Sequence, residues 1–564
     1  MILSIANRAQ QALAQVLYRA KSLKRHMRLS YLPPLMVYLA AGVSGLTGIV
    51  GTFFIKDYLD LPAEFLAMLG FWVGLPWALK MGLGHLVDLI WKWKSLLVFL
   101  GATLIAASLT IMLILINSPS LLYTSPTSMK SWFVLAAMLS PIGYVLQDVV
   151  ADAMTVEAVP TMDEVGNPLD PSVTKSMHTT MQTLGRGAIV GGGIVVSLIN
   201  IFMFSDVEGL SEGAKKLVYA DIYRMALLVP LISVLGVVLA EVLKRWPTPT
   251  VGYKLSSVHP PSSPAAVRPN WYILGGSLGF IVFTLFMGLT QVPFNQEIIF
   301  AGSMSIVLFL MARLTRELEP SARRLLVSTA IVIFVFRALP GPGAGATWFK
   351  IDELNFDQQF ISILSLIGSS LGLFGMLIFR LFMAEKSIFY IVGFLSVCGT
   401  ILSLPLVGMF YGLHDWTAGL TGGIVDARFI AVIDTALESP LGQVAMIPML
   451  AWIAASAPAH LKATFFAVMA SFTNLALSAS SLGTKYLNEL FTVSRQVVDP
   501  LNDQVLVAAD YSSLGTLLIT VTILGLLLPL GSIILVKRGL SLRPFCGSRL
   551  SSKQPTPNIL QLSK

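Results

Sequence analysis

Charge is scarce in this sequence. Asp, Glu, Lys and Arg make up 12% of its 564 residues, 55% are hydrophobic, and the mean hydropathy is +0.77. A water-soluble domain carries roughly twice that share of charge. Too little is present to coat a water-facing surface, so lipid must be the solvent for much of the chain. Cysteine is scarce as well. Cys398 lies in an apolar run and Cys546 in the tail, which offers neither a disulfide framework nor a thiolate metal site. The chain has no Walker-type Gly-x-x-x-x-Gly-Lys-Ser/Thr, no His-x-x-x-His and no Cys-x-x-Cys. These gaps argue against ATP hydrolysis by that route, an intramembrane metalloprotease and a redox centre. The glycines from Gly341 to Gly345 do not form a familiar channel filter. With no nucleophile–base–metal constellation, the chain reads as a non-enzyme that needs no cofactor or metal.

The net charge of +8 does not point to nucleic acid. Its Lys and Arg sit in short clusters between apolar runs, as membrane flanks do, rather than on one face of a domain. Residues 1–30 contain no acidic side chain and carry Arg8, Arg19, Lys21, Lys24, Arg25 and Arg28. Leu3, Ile5, Ala9, Leu13, Val16 and Leu17 recur there at helical spacing, which predicts a cytoplasmic amphipathic segment on the membrane surface. No small-residue cleavage site follows an apolar core, so a signal peptide is not expected; a short organelle transit peptide stays open.

Apolar runs long enough to span start near Tyr31, Glu64, Ser95, Lys130, His178 and Ala220. A Pro- and Ser-rich linker follows from Trp246 to Asn270, then two further runs at Trp271–Leu289 and Glu297–Leu314. Six more start near Arg324, Gln358, Ser387, Ala427, His460 and Ser512. With the N-terminus inside, cytoplasmic segments collect Lys92 and Lys94, Lys244 and Arg245, Arg313 and Arg316, and Lys537 and Arg538. Opposite loops are neutral or acidic, as at Asp352, Glu353 and Asp357. Both termini are therefore expected in the cytoplasm.

The chain also repeats itself. Phe54-Ile55-Lys56-Asp57 resembles Phe349-Lys350-Ile351-Asp352, and Ser140-Pro141-Ile142-Gly143 recurs as Ser439-Pro440-Leu441-Gly442, at nearly the same offset. The expectation is an all-α polytopic membrane protein of about 12–14 transmembrane helices. It comprises an N-terminal six-helix bundle at 31–245, a linker with two extra helices at 246–323, a C-terminal six-helix bundle at 324–538 and a basic cytoplasmic tail at 539–564. Two parallel six-helix halves are the plan of the major facilitator superfamily.

Ionised side chains inside a span must find partners or do work. Lys80 follows Pro76 and Trp77 in the second run, and Gly84-x-x-x-Asp88 resembles the facilitator signature that latches the inward face shut. Asp88 equally suits an ordinary helix-end carboxylate. In the fourth run Gln147, Asp148 and Asp152 stand together, with the aspartates one turn apart on one face, a pairing suited to reversible proton binding. Asp152 also suits simple solvation of the helix end, and Glu157 a loop. The fifth run carries Gln182 and Arg186 among glycines that suit close helix packing. Arg186 is the expected partner of Asp148, because consecutive helices usually pack as neighbours, or else an anion contact. Arg337 precedes the helix-breaking Ala338–Gly343 stretch and is a second anion candidate. Asp434 and Glu438 form another pair one turn apart, equally readable as residues near the outer end.

Three stretches together resemble the folate–biopterin transporter family, a branch of the major facilitator superfamily found in cyanobacteria, plastids and trypanosomatid parasites. They are Lys56-Asp57 through Pro76-Trp77 and Lys80 to Gly84 and Asp88; Gln147-Asp148 through Asp152 to Glu157 with Met181-Gln182; and Ile447-Pro448 through Ala457-Pro458 and Lys462–Ala467 to Asn474. Met81 replaces the family's proline, Val87 its serine, and Arg186 a small or aromatic residue. The resemblance implies a secondary transporter, proton-coupled, for a solute of folate or pterin type. It implies a monomer in a bacterial inner membrane, cyanobacterial included, or a plastid envelope. Lys80, Asp148, Asp152, Gln182, Arg186 and Arg337 are then candidates for the solute and proton path. Lys56, Asp57, Pro76, Trp77, Gly84 and Asp88 are candidates for gating. Trp77, Tyr144 and Trp348 suit stacking on a heteroaromatic ring or anchoring at the lipid interface. A carrier of another organic anion, or a non-transporting scaffold that delivers a pigment or cofactor, are the alternative readings.

Overall fold

The computed structural model describes residues 29–55, 61–78, 80–118, 126–159, 171–205, 207–245, 271–289, 292–317, 319–379, 382, 386–442, 444, 462–495, 497–498 and 505–541. The amphipathic segment expected before Leu29, Lys56 and Asp57, the 246–270 linker, the Ile447–Leu461 motif and the end of the tail lie outside them. So do the side chains of Asp88 and Gln182.

The first span bends: α1 (Leu32–Val43) passes through a 3-10 turn, Ser44–Thr47, into α2 (Gly48–Phe54). Its prolines stand in the first turn, where no intrahelical N–H bond is lost. The second span comprises α3 (Ala63–Ala78), with Pro76 inside it, and α4 (Lys80–Leu89). Then come α5 (Ser95–Asn117), α6 (Pro126–Ala158), α7 (Pro171–Met203), and a sixth span of α8 (Glu212–Ala226) and α9 (Val229–Arg245). The inserted pair is α10 (Trp271–Leu289) and α11 (Asn295–Leu314). After it follow α12 (Pro320–Arg337), α13 (Ala344–Asp352), α14 (Gln358–Ile378), α15 (Ile388–Phe410), α16 (Leu413–Thr421), α17 (Ala427–Glu438), α18 (Lys462–Leu490) and α19 (Leu514–Ser541). Among the described residues 10 stretches are long and apolar enough to cross a membrane, the first six lying between Leu29 and Leu243. The loop before α19 holds a short antiparallel strand pair, Val497–Val498 with Val505–Val507, where only helices were expected.

Small residues set the helix crossings. A methyl on Gly101 of α5 would lie 2.5 Å from Gly143 O on α6, and one on Gly143 would lie 2.6 Å from Gly101 O. The second Ser-Pro-x-Gly copy also sits at a crossing without room for a methyl: a Cβ on Gly375 of α14 would meet Pro440 O at 2.3 Å. On α1 and α7, Gly42 and Gly192 meet in the same way.

The earlier and later helices join chiefly where α3 packs on α18 and α7 on α14. Asn474 Nδ2 donates to Trp77 O at 3.0 Å, Ser197 Oγ to Ser365 Oγ at 3.0 Å, and Gln358 Nε2 to Tyr219 Oη at 3.0 Å. The inserted pair docks beside the α3–α18 contact. Glu297 accepts from Lys485 Nζ at 3.1 Å and from the Tyr486 hydroxyl, and Gln296 Nε2 donates to Met68 O at 3.2 Å. One apolar core joins Phe71 and Leu75 of α3 to Ile299 and Leu310 of α11 and to Phe472 and Leu475 of α18. Exposed Leu96, Phe99 and Leu100 on α5, and Ile401 and Leu404 on α15, suit a lipid surface.

A buried lysine bridging two aspartates

Pro76 has no N–H for the usual bond one turn back, which weakens the helix just before Lys80. Lys80, the first residue of α4, comes against α6, where Asp148 and Asp152 share one face. Its Nζ donates to Asp148 Oδ2 at 2.5 Å and lies 2.7 Å from Asp152 Oδ2. The hydroxyl of Tyr38, on α1, donates to Asp152 Oδ1 at 2.6 Å. One ammonium is thus shared by two carboxylates, and a phenol steadies the second. The Lys80 and Asp148 side chains are only 20% and 17% exposed, so each offsets much of the other's cost of leaving water.

Arg186 of α7 stands in electrostatic range of Asp148 and Tyr38. Among the described residues it makes no hydrogen bond or ion pair. The expectation that it pairs with Asp148 is therefore corrected: α4 supplies the partner, because α6 packs on α3 and α4 and touches α7 only briefly. A guanidinium without a bonded carboxylate is left beside the cluster. Gly185 explains how Tyr38 reaches in, since a Cβ there would lie 2.8 Å from Tyr38 Cε2. Tyr38 itself escaped the sequence reading. Its one visible signal was a hydroxyl within an apolar helix.

The other candidates make contacts of their own. Arg337 ends α12 and its Nε donates to Thr473 O at 3.1 Å. The break after it is sealed by α18: Thr484 Oγ1 accepts from Gly341 N at 2.9 Å, and Ser480 Oγ donates to Leu339 O at 2.5 Å. Its freed backbone groups thus find side chains, where a cavity was expected to accommodate them. Glu157, expected in a loop, is helical and pairs with Lys94 at 2.9 Å. Trp77 and Tyr144 are partly buried against apolar clusters, and Trp348 is 2% exposed with Arg495 over its ring at 5.9 Å. Pro76 is buried, and nothing lies within 4 Å of a Cβ built on Gly84. Asp434 and Glu438, on α17, lie in electrostatic range of Lys350 on α13.

Known proteins share this plan. A profile of the BT1 family matches residues 41–539. A folate-biopterin transporter of Synechocystis sp. is 21% identical over 449 residues, covering 78% of this chain and 71% of the relative. Among solved structures, a bacterial homologue of the human drug peptide transporters superposes with a TM-score of 0.55 at 14% identity, over 92% of this chain and 99% of that one. A POT family transporter in complex with 5-aminolevulinic acid gives 0.55 at 11% identity, over 90% and 96%. At such identity these structures speak for the fold alone, which is that of the major facilitator superfamily.

Proposed function

We propose that this chain, which belongs to the BT1 family of membrane transporters, is a proton-coupled secondary carrier of a folate- or pterin-type solute working by alternating access. The observation that carries this reading is the Lys80–Asp148–Asp152–Tyr38 cluster with Arg186 beside it. Two carboxylates are balanced by Lys80 and Arg186, so the empty group is close to neutral. A solute carboxylate held by Arg186 adds one negative charge, and a proton on Asp148 or Asp152 cancels it. Solute and proton together then leave the group as neutral as before, which favours its passage between states in a low dielectric. Tyr38 and Lys80 hold the unprotonated carboxylate in place meanwhile.

In this reading the halves at 31–245 and 324–538 rock about the path, with both termini in the cytoplasm and the protein working as a monomer. The membrane is a bacterial inner membrane or a plastid envelope. The Synechocystis relative supports the solute class, and the buried charges support coupling, since a transport path is where such a cost is repaid. Uptake of folates, pterins and other organic anions into proteoliposomes tests the solute. Saturable uptake of a folate or pterin is expected. Its absence, with uptake of another anion, would replace the solute class.

A further inference from the structure

The second half of the chain holds a charged group that the Lys80 cluster leaves unused. Lys350 is half-buried on α13, directly after the break at Leu339–Gly343. Asp434 and Glu438 lie one turn apart on α17 and share a face. The three interact electrostatically. Yet among the described residues Lys350 makes no ion pair or hydrogen bond, so its Nζ stands more than 4.0 Å from either carboxylate. Asp434 Oδ1 is buried and has no hydrogen-bond partner among the described residues. The contrast with the first half is direct. There the lysine closes on both aspartates, whereas here the ammonium pairs with neither carboxylate. A buried carboxylate oxygen without a donor costs stability unless something else supplies that donor.

Resting on the solute class of the proposed function, we propose that Lys350, Asp434 and Glu438 form a subsite for the ring end of the solute, specific for a 2-amino-4-oxopyrimidine edge. That edge presents an amino N–H and a ring N–H side by side, as a guanidinium does, followed by a carbonyl oxygen. A carboxylate accepts the paired N–H groups in bidentate fashion, which gives Asp434 Oδ1 its missing donor. Lys350 donates to the carbonyl. Glu438, one turn further on, takes the second amino hydrogen. The acidic tail reaches Arg186 in the first half, so one solute spans both halves and draws them together, as alternating access requires.

The test is competition binding to the purified full-length protein with three probes. Pterin carries the 2-amino-4-oxo edge, lumazine replaces the amino group with oxygen, and p-aminobenzoylglutamate is the acidic tail without the ring. The wild type should prefer pterin over lumazine by at least about tenfold, because a site built to accept an N–H is left unpaired by its loss. Asp434→Asn should bring the two to near parity and leave p-aminobenzoylglutamate binding unchanged, which also reports a folded protein. Lys350→Met should weaken pterin and lumazine alike, since both keep the 4-oxo oxygen. Undiminished discrimination in Asp434→Asn, or equal loss of pterin and the tail probe, overturns the subsite. A wild type that binds none of the three overturns the solute class itself, and the ring assignment with it.

Discussion

The hydroxyl of Tyr38 donates to Asp152 at 2.6 Å across 114 residues of sequence, and so ties the first span to the fourth at the point where Lys80 reaches in from the second. Three helices converge on one carboxylate pair, and a fourth brings Arg186 alongside. Consequences follow for each contact.

Tyr38→Phe keeps the ring and removes only the donor. A hydrogen bond to a charged group contributes about 1.5–3 kcal/mol. Thermal unfolding in detergent should fall accordingly, and uptake should drop several-fold. An unchanged rate would place the bond outside the working site.

Lys80→Met leaves Asp148 and Asp152 facing each other without the ammonium that bridges them. Breaking a buried pair from one side costs about 3–5 kcal/mol. Adding Asp148→Asn to the same chain should restore part of the stability though not the transport. If the double variant is no more stable than Lys80→Met, the two residues are not energetically coupled.

Gly185→Ala and Gly187→Ala form a matched pair. The first methyl would press on the Tyr38 ring at 2.8 Å, while the second meets nothing within 4 Å. Gly185→Ala should cost about 1–3 kcal/mol and most of the activity. Gly187→Ala should be close to silent in both measurements.

Glu297→Ala removes the acceptor shared by Lys485 and the Tyr486 hydroxyl, which holds α11 to α18. The Lys485 and Glu297 side chains are 18% and 25% exposed, so the loss should be about 1 kcal/mol, read as a lower melting temperature. No change would mean that apolar packing at Ile299 and Leu310 alone docks the inserted pair.

The helices were largely legible because lipid imposes a simple rule on residue type. The runs expected near Ser95 and Gln358 begin at those residues in the structure. Others start earlier than hydropathy suggests, at Pro126, Pro171 and Pro320, because a proline can open a helix while the turn after it is still polar. Asp148 and Asp152 were legible for the same reason, being charges where charge is costly. Their partner was not. Chain order pointed to the next helix and to Arg186, whereas the packing that delivers Lys80 from α4 and Tyr38 from α1 is a property of the assembled bundle. The strand pair at Val497 and Val505 carried too short a signal to separate from loop.

Proton coupling is the central claim, and an imposed pH gradient tests it most directly. Purified protein in proteoliposomes, presented with labelled folate or pterin, should take it up several-fold faster with an inward proton gradient than without. Asp148→Asn should lose that dependence. Saturable uptake at the same rate with and without the gradient would contradict the account.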